Sequence, residues 1–150
     1  MVKRTCFEAA ECPIARSLDV IGDGWSLLII REAMSGARRF GEFQKKLGMA
    51  KNILAARLRA LVGHGIFVLE AAADGSPYQD YMLTDKGRDL FPVLVALRQW
   101  SDDHLFAPGE EYTRLVDRKT GKRVKRLELR AQDGRLLRPQ DTALVRTAAT

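Results

Sequence analysis

Residues 38 to 65 constrain this chain more than any other stretch; they read RRFGEFQKKLGMAKNILAARLRALVGHG. Phe40, Phe43 and Leu47 recur at spacings of three and four, which places them on one face of a helix from Phe40 to Leu47. Gly48 ends that helix, because glycine accepts the backbone angles of a helix exit. A second helix is predicted from about Ala50 to His64. Its apolar stripe is Leu54, Leu58, Leu61 and Val62, and Gly63 and Gly65 bracket its end. Lys51, Asn52, Ala55, Arg57 and Arg59 lie off the stripe. Two short helices around a tight turn, the second with basic and amide side chains toward its start, make the pattern of a helix-turn-helix. In that motif the second helix enters the DNA major groove.

Charge is concentrated on the same stretch. Residues 36 to 64 hold seven Lys or Arg against one acid, Glu42, whereas residues 65 to 106 hold three against seven. Residues 107 to 150 are basic again, eleven against six, within a chain of net charge +6. Focused positive charge is what phosphate binding with counterion release requires, so double-stranded DNA is the expected partner. Lys51 and Asn52 are candidates for base contacts, since Asn pairs with adenine and Lys reaches guanine acceptors. Arg38, Arg39, Lys45, Lys46, Arg57 and Arg59 are candidates for phosphate contacts.

Around the motif the chain reads as follows. Pro13 opens a first helix with Ile14, Leu18 and Ile21 on one face, and Gly22 closes it. Asp23 is a suitable cap for a second helix that begins near Trp25 and is apolar on most sides. Beyond Gly65 the period becomes extended. Ile66–Ala71 and Tyr78–Leu83 are predicted strands around the turn Ala73-Asp74-Gly75-Ser76-Pro77, a hairpin in the position of a wing. Thr84 caps a long helix with Leu90, Val93, Leu94, Leu97 and Trp100 on one stripe, and Pro92 marks a kink or a late start. Pro108-Gly109 is the expected boundary. Past it, Thr113–Asp117 and Val124–Arg130 read as strands around Lys119–Lys122, with a further turn at Asp133-Gly134. The expected class is mainly α with a β-wing (α+β): a winged helix-turn-helix over residues 1–106, with a small basic β-hairpin extension over 107–150.

The order of these parts resembles the HxlR-type winged helix-turn-helix regulators, which are related to the MarR-like regulators. The residues that carry the resemblance are Cys12-Pro13-Ile14, the run Ile21 to Glu32 (IGDGWSLLIIRE), Arg39 to Phe43, Leu58 to Leu61, and Tyr81 to Gly87 (YMLTDKG). Together they span about residues 6 to 106. The resemblance implies a transcription regulator, a homodimer built on the first and last helices, and paired recognition helices on an inverted-repeat operator. Two positions depart from the family pattern. Gly24 stands where a basic residue often precedes the tryptophan, and the wing tip has no Lys or Arg.

In some of the relatives that this chain resembles, a cysteine at the position of Cys12 senses oxidants or electrophiles. The helix N-terminus at Cys12 favours a thiolate, and Cys6 could serve as its resolving partner; the alternative is a small buried residue with no redox role. A small-molecule effector between dimer helices is a further expectation. His64 and His104 stand far apart with no nucleophile placed beside them, so an enzyme is not expected. No glycine-rich phosphate loop is present, and residues 107–150 contain no Cys or His for a zinc ribbon, so neither cofactor nor metal is expected. No apolar run approaches the roughly 20 residues of a membrane helix, and the N-terminus lacks a signal-peptide core, so the expected compartment is the cytoplasm. The competing reading is a winged-helix module that binds protein or RNA through the basic extension.

Overall fold

The computed structural model describes residues 5–148. In chain order the elements are α1 (Pro13–Ile21), α2 (Ser26–Met34), α3 (Phe40–Leu47), α4 (Lys51–Gly63), β1 (Phe67–Ala71), β2 (Gln79–Leu83), α5 (Asp85–Arg88) and α6 (Phe91–His104). A single 3-10 turn, Pro139–Asp141, follows among the described residues. The chain divides into two compact units, residues 1–94 and 95–150, and the division falls inside α6. Among the described residues, no helix is long and apolar enough to cross a membrane.

In the first unit, α2, α3 and α4 meet on a core that the apolar spacings foretell. Ile29 and Ile30 of α2, Phe43 of α3, and Leu54, Leu58 and Leu61 of α4 are fully buried, with Ile66 and Phe67 closing the core from the strand side. Phe43, Phe67 and Tyr81 form an edge-to-face trio with centroids 6.1 to 6.3 Å apart, the arrangement that ring quadrupoles favour. Gly48 adopts the left-handed conformation (φ 63°) at the end of α3, which lets the chain turn within three residues into α4. Asp23 does what a cap should: its carboxylate accepts the Trp25 and Ser26 N–H groups, both at 2.9 Å, and the Ser26 hydroxyl.

β1 and β2 pair antiparallel with Phe67 opposite Leu83 and Ala71 opposite Gln79. Midway along β2, the Tyr81 N–H donates to the Arg38 carbonyl at 2.7 Å, so the hairpin is bonded to the loop that enters α3. Thr84 caps as expected, accepting the Gly87 N–H at 3.1 Å while its hydroxyl donates to the Gly65 carbonyl at 2.5 Å. Gly87 packs where nothing larger fits: a Cβ there would stand 2.4 Å from the Ile66 carbonyl oxygen.

The long helix expected after Thr84 is two helices. α5 stops at Arg88, and α6 begins at Phe91 with Pro92 as its second residue. Inside a continuous helix, Pro92 would lack an N–H for the Arg88 carbonyl, and its ring would clash with that carbonyl. The helix therefore restarts with proline in its first turn.

In the second unit the expected strands reduce to isolated bridges, Val116 to Arg123 and Arg130 to Leu136, each closing a tight turn. Leu127 and Leu129 do alternate with charged residues, yet they remain 50% and 67% exposed. A two-stranded ribbon with no core to cover its apolar face does not sustain a ladder. Gln99 takes over part of that role. Its amide donates to the Lys125 carbonyl at 3.0 Å and accepts the Leu127 N–H at 2.8 Å, so one side chain satisfies backbone that a neighbouring strand would otherwise pair.

Candidate nucleic-acid interface

α4 buries Leu54, Leu58 and Leu61 and turns its other side to solvent. At the helical pitch, Asn52, Ala56 and Arg59 recur at spacings of four and three on the side away from the core. Lys51, Asn52 and Ile53 occupy the first turn, and all three are exposed. This first turn is the part of a recognition helix that meets base edges.

The eight basic and amide residues expected at the interface divide into two groups. Lys45, Lys51, Asn52 and Arg59 are exposed, and among the described residues their side chains have neither ion-pair nor hydrogen-bond partners. Arg38 is exposed as well. Its backbone N–H donates to the Glu42 carboxylate at 2.9 Å, which helps cap α3. The other three cations are engaged within the unit. Lys46 lies 3.8 Å from Glu32, a carboxylate that also binds Arg31. Arg57 lies 3.4 Å from Asp23 and so ties α4 to the cap of α2. Burial pushes the Asp23 carboxyl up, but hydrogen bonds from Ser26 and Trp25 and the charge of Arg57 outweigh it and hold the group below its ordinary value.

Arg39 is the most heavily engaged. It stands at the entry to α3, and its guanidinium meets Asp74 at the wing tip at 2.6 Å and Asp80 of β2 at 3.3 Å. It also lies over the Tyr78 ring, 5.9 Å from the centroid. The Asp74 hydrogen bond, then that of Asp80, raises the Arg39 pKa further above its ordinary value. The same bond, aided by the Ser76 N–H, lowers Asp74 to about 2. The wing tip carries no cation, and Arg39 anchors it.

Two features escape a reading of spacing alone. Asp80 is a strand residue only 7% exposed, and a buried carboxylate requires a cation, which Arg39 supplies. That requirement was a usable signal, but nothing local says which arginine meets it. Ile53 is 45% exposed in the first turn of α4, and its place beside Asn52 was the signal for it.

Cys12 is the residue before α1, extended and exposed, and Cys6 is exposed too; both thiols are free. The Cys6 thiol lies 3.7 Å from the Asp19 carboxylate, which accepts the Phe7 N–H at 2.7 Å, so the segment before α1 folds back along it. No group of three or more His, Cys, Asp or Glu among the described residues could hold a metal ion. A cavity of about 550 Å³ opens between the end of α2 and β2, with Met34, Arg38, Tyr81, Leu83 and Arg88 among its lining residues.

A helix-turn-helix with a two-stranded wing behind its second helix defines the winged helix-turn-helix class. The HxlR-like helix-turn-helix family matches residues 20–108, and the chain belongs to that family. The curated relatives that the chain matches are described as HTH-type transcriptional regulators. One relative is the HTH-type transcriptional regulator Rv3095 of Mycobacterium tuberculosis, itself described as uncharacterized. It is 42% identical over 95 residues, which cover 63% of this chain and 60% of that one. The chain thus matches about three fifths of the length of this mycobacterial relative. Among solved structures, PA1607, described as a candidate transcription factor, is 59% identical with a TM-score of 0.91. The match covers 95% of this chain and all of that one. The redox regulator HypR in its reduced form is 30% identical with a TM-score of 0.56, over 61% of this chain and 92% of that one.

Proposed function

We propose that the protein is a sequence-specific DNA-binding transcription regulator that acts as a homodimer on an inverted-repeat operator. The observation that carries this reading is the first turn of α4, where Lys51 and Asn52 are exposed and without partners in the recognition position of a helix-turn-helix. Lys45 and Arg59 supply phosphate contacts as unpaired cations, with Arg38, Lys46 and Arg57 around them; Arg39 sets the wing. Residues 1–106 form the DNA-binding and dimerisation part, and residues 107–150 an extension to it.

The dimer is supported by apolar surface that the single chain leaves in water. α1 exposes Ile14 (72%) and Leu18 (48%), and α6 exposes Val93, Leu97 and Trp100, the last at 56%. A two-fold pairing on these helices sets two recognition helices about 34 Å apart, one turn of DNA. A cytoplasmic location is part of the same proposal, and a DNA partner is in line with it. An oxidant acting on the exposed thiols of Cys12 and Cys6 is the effector this reading favours, in line with the likeness to HypR.

The test is binding to a duplex recovered by selection from random sequence. Asn52→Ala is expected to cost about 1–3 kcal/mol and to relax preference at one base position. Wild-type affinity and selectivity in both Asn52→Ala and Lys51→Ala would refute the assignment of α4.

A further inference from the structure

In residues 95–150, four arginines converge on one recess of about 140 Å³: Arg98, Arg114, Arg123 and Arg126. Asp102 is the carboxylate among the lining residues, and Val95, only 4% exposed, gives the recess an apolar wall. Arg126 is matched by Asp103, through bonds of 2.5 and 3.1 Å. The other three are held by neutral groups. Arg98 donates to the Thr113 carbonyl at 3.0 Å and to its hydroxyl at 3.3 Å. Arg123 donates to the Tyr112 hydroxyl at 3.3 Å, and Arg114 lies 5.6 Å from the centroid of the same ring.

Hydrogen bonds to a carbonyl, a hydroxyl or a ring orient a guanidinium without neutralising it. Among the described residues, no carboxylate lies within ion-pair distance of Arg98, Arg114 or Arg123, although Glu110 and Glu111 are close by in sequence. Like charges gathered around one recess repel, and an anion bound among them removes that cost. We propose that this recess is a phosphate-binding cleft. Guanidinium forks match phosphate oxygens in paired hydrogen bonds. The volume limits the ligand to one anionic group, because pockets for whole small molecules run from about 300 to 1,000 Å³. The cleft therefore takes a phosphate presented at the edge of a larger molecule, and the backbone of the DNA in the proposed function is the first source. Free phosphate is the second. The DNA source rests on the proposed function; the phosphate chemistry does not.

The test uses the full chain and the double variant Arg114→Gln/Arg123→Gln, with Arg114→Lys/Arg123→Lys as the charge-keeping control. Both residues are exposed, and circular dichroism checks that the fold is kept. Binding to a duplex that extends ten base pairs beyond the selected operator is measured from 50 to 200 mM salt, and inorganic phosphate is titrated against arginine side-chain NMR signals. If DNA is the source, the Gln variant lowers the salt slope by about 0.9 per cleft, close to 1.8 for a dimer, with base preference unchanged and the Lys variant near wild type. If free phosphate is the source, the slope stays the same, and millimolar phosphate shifts the arginine signals of the wild type but not of the Gln variant. An unchanged slope together with no phosphate response overturns the cleft. A wild type that binds no duplex refutes the regulator reading, and the phosphate titration then decides the cleft by itself.

Discussion

The division of the interface cations into unpaired and paired groups makes a quantitative prediction about salt. Lys45, Lys51 and Arg59 have no acidic partner among the described residues, whereas Arg39 and Arg57 meet Asp74, Asp80 and Asp23 at 2.6 to 3.4 Å. A cation already matched by a carboxylate displaces few further counterions from DNA. The Arg38 guanidinium is likewise without an acidic partner among the described residues, so four unpaired cations per protomer give eight per dimer and a slope of log K against log salt of about −7. Lys45→Gln removes two contacts per dimer and flattens the slope by about 1.8, so raising salt from 50 to 200 mM weakens the variant roughly twelve-fold less than wild type. Arg57→Gln changes the slope by well under one unit and acts through its tie to Asp23 instead. Fluorescence anisotropy with a labelled operator duplex at four salt concentrations measures both. The reasoning is refuted if Lys45→Gln leaves the slope untouched while Arg57→Gln lowers it by the full amount.

Three further outcomes are expected. Ile53 and Ala56 offer apolar surface beside Asn52, so they should contact thymine methyl groups. Replacing operator thymines with deoxyuridine, one at a time, should weaken wild type about four-fold at a contacted position and Ile53→Ala not at all; equal losses in both proteins would remove that contact. The Asp74 carboxyl titrates near 2 in the folded chain, below the ordinary 3.8, so the stability it contributes is present above that ordinary value and is lost as pH falls through about 2. A carboxyl NMR titration should show that midpoint, and Arg39→Gln should return it toward the ordinary range. Diamide, which joins two thiols into a disulfide, should lower operator affinity in wild type and spare Cys12→Ser; an unaffected wild type would leave Cys12 a structural residue.

The helices were legible where burial is periodic. Phe40, Phe43 and Leu47, then Leu54, Leu58 and Leu61, each mark one face, and α3 and α4 fall within a residue of the expected bounds. Capping chemistry was equally readable, since Asp23 and Thr84 act on residues two or three positions away. Pro92 announced a discontinuity, and the clash with the Arg88 carbonyl decides that it is a restart. What could not be read were pairings between distant positions. Arg39 counts as one more cation in a basic stretch until Asp74 and Asp80 are brought beside it by the hairpin. In the extension, the alternation of Leu127 and Leu129 promised strands, but alternation selects a strand only where there is a core for one face to cover.

Arg39 also has a consequence for how sequences of this family can change. Its partners lie 35 and 41 positions further along the chain, and Asp80 is buried. Losing the arginine alone would strand a carboxylate away from water, and losing Asp80 alone would leave the arginine tied only to the exposed Asp74 at the wing tip. Neither single step is neutral. Positions 39, 74 and 80 are therefore expected to be inherited as a set, so that related proteins either keep all three charges or replace them together. A wing with a basic tip should then be accompanied by a different residue at the position of Arg39.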